Sequence, residues 1–551
     1  MPFDRTAWMP GLVGLGLLLC ISSGANVAFA AENLAGTLTE NTIWPASKSP
    51  YQLSASVTVS NGVTLTIEAG TTLQFAAGAR LTVAPGGRLL AEGSETAPIK
   101  FVRSSSEGGN WGGLFISGRA GSPESRIAHA YIDGNSSTAV QCSDATVFLD
   151  HLTFGNTSRP YLMVDRSSFV VQHCVFPSAT GRFELIHADG GIKPGGRGIF
   201  RRNYFGAPRA GYTDVIDFTG CNRPGPIVEF INNVFVGATD DILDFDGTDA
   251  WIEGNIFLHA HRNGSPNSSS AVSGGSNFGN TSEFTVIGNL FYDVDQAATA
   301  KQGNFYVLLN NTIVRQTRTG GMDTDAAVLN FADPGAAEGA GMHFEGNIIF
   351  DAEKLTRNFK AAHLTLTNNL VPFDWTGPGG ANGKDAPMFE HLPQLSETTN
   401  FTSWAEAQVV RTWFKLKEGS PGKGAGPNGR DMGGVVPLGV CISGEPAAGG
   451  ASDSALLHVG PWRAGGSIPS KSNNFPNGSG YTHYRWRLDG GPWSEEIAIE
   501  IPIALTNLRQ GDRYVEVVGK RDSGSYQNDP IYGEDATVTR SKTWTVAARK
   551  E

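Results

Sequence analysis

An all-β solenoid followed by a small β-sandwich is the fold class this sequence predicts, on three observations. A phenylalanine recurs two residues after a fixed reference point, at Phe154, Phe176, Phe205, Phe235, Phe257 and Phe291. The reference points, Leu152, Cys174, Asn203, Asn233, Asn255 and Asn289, continue as Asn311, Asn347 and Asn369, with a base spacing of 22 residues and extra length in some intervals. The segments around them, such as INNVFVGA and EGNIFLHA, are β-branched and aromatic and lack the period of a helical face. A repeat that short cannot bury its apolar side alone, so copies must stack around one continuous core. A coil of this length has room for three short strands, with equivalent residues about 4.8 Å apart, Phe over Phe inside and Asn over Asn at a bend.

On these residues the chain resembles a right-handed parallel β-helix of the pectate-lyase-like superfamily, whose asparagine ladders have this character. The resemblance covers residues 38–440 at the level of fold. Composition agrees with it. Seventy glycines and 17% charged residues suit many tight turns, and a chain of 551 residues fits a solenoid, which grows in one dimension. The net charge of −11 argues against nucleic acid or an anionic membrane as partner.

Taken from the N-terminus, Arg5 precedes an apolar run from Gly11 to Leu19, and Ala28-Phe29-Ala30 has the small-x-small form of a cleavage site. Residues 1–30 thus read as a signal peptide, which makes the protein secreted, periplasmic or displayed at the cell surface, with no membrane span once it is removed. Four cysteines remain, Cys142, Cys174, Cys221 and Cys441, and their pairing is left open. VTLTIEAGTTLQF and ARLTVAPGGRLLAEG, within residues 50–103, alternate apolar and polar positions between glycine turns and form the first coils. NWGGLFISG, at 110–118, resembles a structural motif of such β-helices, and SPGKGAGPNGRDMGG, at 420–434, resembles their closing segment. Residues 443–455 read as a linker by their Gly, Ala, Ser and Pro content. Residues 456–548 read as alternating strands of an immunoglobulin-like or fibronectin-like sandwich, with Asp489-Gly490-Gly491 as a hairpin turn and Trp486, Trp493 and Trp544 as core.

Three successive coils depart from bland composition. RFELIHADG, YTDVIDFTG and TDDILDFDG superpose without gaps. Glu184, Asp214 and Asp241 share one row; His187, Asp217 and Asp244 a second; Asp189, Thr219 and Asp246 a third. Strand side chains alternate, so inward Leu243 and Phe245 force Asp244 and Asp246 outward into an external acidic ladder. Like charges one strand apart disfavour joint ionisation. Two remedies fit: a calcium ion held by Glu184, Asp214, Asp241, Asp246 and Asp249, or one carboxyl kept protonated beside an ionised neighbour, as in a glycosidase pair. Enlarged coils flank the short coil from Asn233 to Asn255 and give the ladder walls.

The resemblance implies a polysaccharide substrate in that groove, with Asp217, Asp244, His187 and Lys301 as catalytic residues and Lys193, Arg197 and Arg315 as substrate contacts. Lys301 falls, by 22-residue registration, in the inward row of Phe245, where an unpaired charge is costly, so it either slips outward or is buried against an acid. Of the ordered motifs of polygalacturonase-like enzymes only Asp240-Asp241 is present, and no familiar lyase signature is complete. The expected protein is a monomeric, secreted polysaccharide lyase or glycoside hydrolase without an organic cofactor. The alternative is a non-catalytic surface scaffold, stabilised by calcium, that binds glycans.

Overall fold

A computed structural model describes residues 33–547 except 106–107, 156, 263–268, 317–325, 427–428, 448–451 and 461–479. The expected signal peptide, with Cys20, lies outside the described residues. Among the described residues, no helix is long and apolar enough to cross a membrane.

The repeat builds a parallel β-solenoid whose coils give strands to three long sheets, apart from the short antiparallel strand Asn280–Thr281. The first, the phenylalanine sheet, runs through Val175–Phe176, Tyr204–Phe205, Val234–Phe235, Ile256–Leu258 and Leu290–Tyr292. The second, the cleft sheet, includes Ile186–Ala188, Ile216–Thr219, Leu243–Asp246, Ser270–Asn277 and Gln296–Ala300. The third, the back sheet, includes Gly198–Arg201, Val228–Ile231, Ala250–Glu253, Glu283–Ile287 and Phe305–Leu309. Inside, Phe154, Phe176, Phe205, Phe235, Phe257 and Phe291 stack with ring centroids 4.7–5.1 Å apart and planes within 19°. That is the strand spacing expressed in side chains.

The bend between the back and phenylalanine sheets carries the asparagine ladder. Asn233 Nδ2 donates to Asn255 Oδ1 at 3.0 Å, and Asn255 Nδ2 to Asn289 Oδ1 at 3.0 Å. The same oxygen of Asn255 takes the Asn233 backbone N–H at 2.8 Å, while Asn233 Nδ2 also reaches the Phe200 carbonyl at 2.9 Å. Each amide thereby uses two donors and both acceptor sites, so full burial leaves nothing unpaired. The series runs from Asn203 to a final Asn382. The residue before each rung is left-handed: Arg202, Asn232, Asn310 and Asn368 have φ of 49–56°, and Gly254, Gly288 and Gly346 have 66–70°. This repeating αL bend explains why Asn or Gly precedes most rungs, with Arg202 and Ala381 (φ 55°) as the exceptions.

The solenoid strands stop at Gly379–Gly380, short of the expected boundary at 440. The described residues of 385–440 form short helices, Leu395–Thr398, Trp404–Ala407 and Val409–Trp413, and then a strap that runs back along the coils. Its course is marked by Gly433 N–H on the Gly346 carbonyl (2.9 Å), Gly434 N–H on Thr312 Oγ1 (2.8 Å) and Gly439 N–H on Glu253 Oε1 (2.8 Å). The reason lies on the outside of the phenylalanine sheet. Tyr204, Val234, Ile256, Leu290, Tyr292 and Val314 point outward and are apolar, and Phe389, Val410, Phe414, Leu416 and Met432 bury them in a second core.

The strands on either side of the expected linker, Cys441–Ser443 and Ala455–Gly460, pair antiparallel, and residues 448–451 of that linker lie outside the described residues. The C-terminal antiparallel sheets, including Tyr481–Leu488 paired with Val515–Arg521, lie on the back sheet rather than apart from the solenoid. Arg521 enters between Glu253 (3.1 Å) and Glu229 (3.7 Å), Tyr532 donates to Glu229 at 3.1 Å, Arg223 pairs with Asp522 at 2.7 Å, and Trp251 meets Tyr481 edge-on at 4.9 Å. Trp544 is core, as expected, whereas Trp493 lies under the Arg487 guanidinium at 4.6 Å. Cys142, Cys174, Cys221 and Cys441 are free, buried thiols.

Candidate functional site

With two outer faces covered, the outer row of the cleft sheet remains accessible from Phe115 through Gln141, Met163, His187, Asp217 and Asp244. Above it Ser273, Thr299 and Asn330 are buried. The register is the one read from sequence: His187 pairs with Asp217 and Asp217 with Asp244, while Ile216 over Leu243 and Phe218 over Phe245 face the core.

Carboxylates converge at the upper end of this accessible stretch. Asp214 accepts the Asp241 backbone N–H at 2.8 Å and Asp241 accepts the Ser270 N–H at 2.7 Å, which pins both side chains to the coil above. Oxygens of Asp214, Asp241 and Asp244 lie within 4.8 Å of one another. Asp244 Oδ1 is buried without a hydrogen-bond partner. Burial first, and the neighbouring carboxylates second, push Asp241 up to about 7; burial pushes Asp244 up to about 7 against the pull of Lys301. Asp240 rises to about 7 by burial and the adjacent Asp241, and Asp214 rises well above its ordinary value for the same reasons. Burial lifts Asp217 to about 6, opposed by His187, whose Nδ1 lies 3.5 Å away. The cluster therefore carries fewer negative charges near neutrality than it has carboxyl groups.

Lys301 is the counter-charge. It does not take the inward row: Ala300 fills that position above Gly274 and Phe245. The corner before the strand of Ala300 is one residue shorter than in the coil of Phe235 and Phe245, and the corner after it, through Gln302 (φ 53°) and Gly303 (φ 83°), is one longer, so Ala300 faces in and Lys301 out. There its ammonium sits 2.9 Å from Asp333, and the field of Asp244, Asp241 and Asp333 outweighs burial and holds it well above the usual lysine range.

Other expected residues lie elsewhere. Lys193 bonds the Asp144 carbonyl (3.2 Å) and Thr146 Oγ1 (3.3 Å), and Arg197 pairs with Asp529 of the C-terminal region at 3.0 Å; neither reaches the carboxylate cluster. Arg315 lies 3.5 Å from Asp293, on the phenylalanine sheet. Asp249 accepts the Arg223 and Glu283 backbone N–H groups at 2.8 and 2.7 Å and is a buried corner residue. Glu184 stands 3.9 Å from His187, and Asp246 faces out at the strand end; neither joins the converging trio. The sequence offered no register for Asp333, in an enlarged coil, or for Arg262, which pairs with Asp240 at 2.6 Å and lies over the exposed Tyr212 ring at 5.1 Å.

Coils of three parallel strands stacked on an asparagine ladder make this chain a parallel β-helix. Residues 36–144 match the family model of the pectate-lyase-like β-helix domain. Those residues are the early coils and lie before the acidic cluster. No curated protein matches the sequence. Among solved structures, a mutant form of the PL6-family alginate lyase AlyGC is similar with a TM-score of 0.39 and 11% identity over 77% of this chain, which spans 58% of the length of that protein. A PL6-family polysaccharide lyase from Pseudopedobacter saltans gives 0.27 and 11% over 67% of this chain and 96% of its own. A Bacillus pectate lyase in complex with trigalacturonate gives 0.19 and 10% over 62% and 89%. At such values no residue correspondence is drawn.

Proposed function

We propose that this protein is a secreted polysaccharide-cleaving enzyme that works by carboxyl acid–base chemistry on the cleft sheet. The observation that carries this reading is the Asp244 carboxyl, which has a buried, partnerless oxygen and faces Asp217 on the neighbouring strand. A carboxyl that titrates near neutrality can be protonated when it meets a glycosidic oxygen, and so serve as general acid. Asp217 faces the His187 imidazole at 3.5 Å, which favours its ionised form against burial, and is the ionised partner. Parallel strands hold paired residues about 4.8 Å apart, near the roughly 5–5.5 Å separation of the two carboxyl groups in retaining glycosidases. His187 keeps Asp217 oriented from the strand below, and Lys301 prevents the cluster from protonating throughout. Hydrolysis of a neutral or weakly acidic glycan is the reaction that this charge balance favours.

A second reading, elimination on a uronate polymer, rests on a different observation. The three oxygen donors of Asp214, Asp241 and Asp244 and the orphaned Asp244 Oδ1 suit an oxygen-seeking cation. Calcium bound there would supply the positive charge that lets the trio ionise and a uronate approach. Calcium there would also offset the carboxylate field that keeps Lys301 protonated, which is the condition for its neutral amine to take the abstracted proton.

Incubation with a broad glycan panel, scoring reducing ends and unsaturated uronate separately, tests both. New reducing ends without unsaturation support hydrolysis; unsaturated products support elimination. No turnover on any glycan, with binding retained, leaves the non-catalytic scaffold.

A further inference from the structure

A second cluster of ligand-type side chains lies at the far end of the phenylalanine sheet, apart from the carboxylate trio. Asp293 Oδ2 receives two imidazole nitrogens from the coil below, His259 Nδ1 at 2.8 Å and His261 Nε2 at 2.9 Å. The other nitrogen of His261 is 2.8 Å from Asp295 Oδ1, and Asp295 Oδ2 in turn accepts the Arg262 and Ser269 backbone N–H groups at 3.3 Å each. His259 and Asp293 occupy a left-handed corner, with φ of 54° and 59°, that recurs in the later coils at Arg315 and Asp351, and it brings the two side chains together one coil apart. Both carboxylates are buried, while the imidazoles retain 14% and 15% exposure.

As hydrogen bonds, the two contacts on Asp293 Oδ2 require a proton from each ring, and a metal cation can take the place of those protons. His259 borders a cavity of about 320 Å³ shared with Arg209, Thr239 and Thr399. We infer that His259, His261 and Asp293 form a binding site for a divalent transition metal of the zinc or cobalt class, next to that cavity through His259. Two imidazoles and one carboxylate select such a metal over calcium or magnesium, which prefer all-oxygen shells. Asp295 supplies the outer carboxylate that fixes the His261 tautomer, the usual support of a metal-bound imidazole. Metal–ligand bonds of about 2.0–2.2 Å would open the 2.8 and 2.9 Å contacts by a few tenths of an ångström.

Titration of the chelator-stripped full chain with zinc, and with cobalt(II) as a visible-absorbance probe, tests the site. One equivalent of tight binding, a rise in melting temperature with zinc that calcium does not reproduce, and a ligand-field spectrum for cobalt are expected. His259→Asn and His261→Asn should each weaken zinc at least 100-fold, and Asp295→Asn, which preserves volume, should weaken it about 10–100-fold. Asp241→Asn in the acidic cleft and His151→Ala in the separate His129, His151 and His173 stack should leave it unchanged. The site is refuted by absence of stoichiometric zinc binding, or by binding that survives the His261→Asn change. Should both histidine variants fail to fold, undiminished affinity in a folded Asp295→Asn protein refutes it equally.

Discussion

At the residue scale, the Asp244 carboxyl is held in a state that costs stability. Asp241 and Asp244 titrate at about 7 against an ordinary 3.8, so between about pH 4 and 7 the folded chain binds protons that the unfolded chain has released. Their contribution favours folding at the acidic end and is lost as pH rises through 7. The melting temperature should therefore fall as pH goes from about 5.5 to 8. His261, raised to about 9, adds stability that is present below its ordinary 6.5 and fades as pH climbs through 9, so it adds to the decline in the alkaline part of the range. Asp244→Asn separates the two, because it should flatten the acid-side slope and raise the melting temperature near pH 8. A pH series of melting curves on both proteins checks this. The same variant, and Asp217→Asn, should lower glycan turnover by about a hundredfold or more; turnover at the parental rate in both would remove the pair from the chemistry.

At the element scale, the rungs of the asparagine ladder are not interchangeable. Asn255 accepts both donors offered by Asn233 and donates to Phe230 and Asn289, all in full burial. Asn255→Ala strands those partners, and a loss of about 2–5 kcal/mol is expected. Asn382 ends the ladder and is partly exposed, so Asn382→Ala should cost about 1 kcal/mol or less. Denaturant midpoints of the two variants give the comparison. This ladder was legible in the sequence, as was the row of His187, Asp217 and Asp244, because both follow from a fixed spacing and from alternation along a strand. The position of Lys301 stayed open between two alternatives for the converse reason: a corner one residue shorter before the strand and one longer after it shift its phase, and counting from asparagine to asparagine does not sense how a coil of 22 residues divides among its three corners. Lys193 and Arg197 were misassigned because long side chains reach across corners to groups far away in sequence, such as Asp529, 332 residues from Arg197.

At the scale of the whole molecule, the coils are closed on two sides by the chain's own C-terminal third. The C-terminal region shares buried charge with the back sheet: Arg521 is the cation between Glu229 and Glu253. Arg521→Met leaves those carboxylates buried without it and should cost about 3–5 kcal/mol. A chain ended near Gly450 should likewise melt earlier and less cooperatively than the full chain, in contrast to the independent unit expected from composition. A truncated chain with the parental transition would show that the contact contributes nothing. No local pattern announces this docking, since Glu229 and Glu253 look like ordinary outward strand residues until the region that neutralises them is in place.

The strap beyond Phe389 also imposes an order of events. Coils from Tyr204 to Val314 have an apolar exterior that only later-made residues conceal. During synthesis from the N-terminus, a sticky flank therefore waits through more than seventy further residues, from Val314 to Phe389, for its cover. Partly made chains should adhere to one another or to holdase chaperones along that flank, and release should coincide with emergence of the strap.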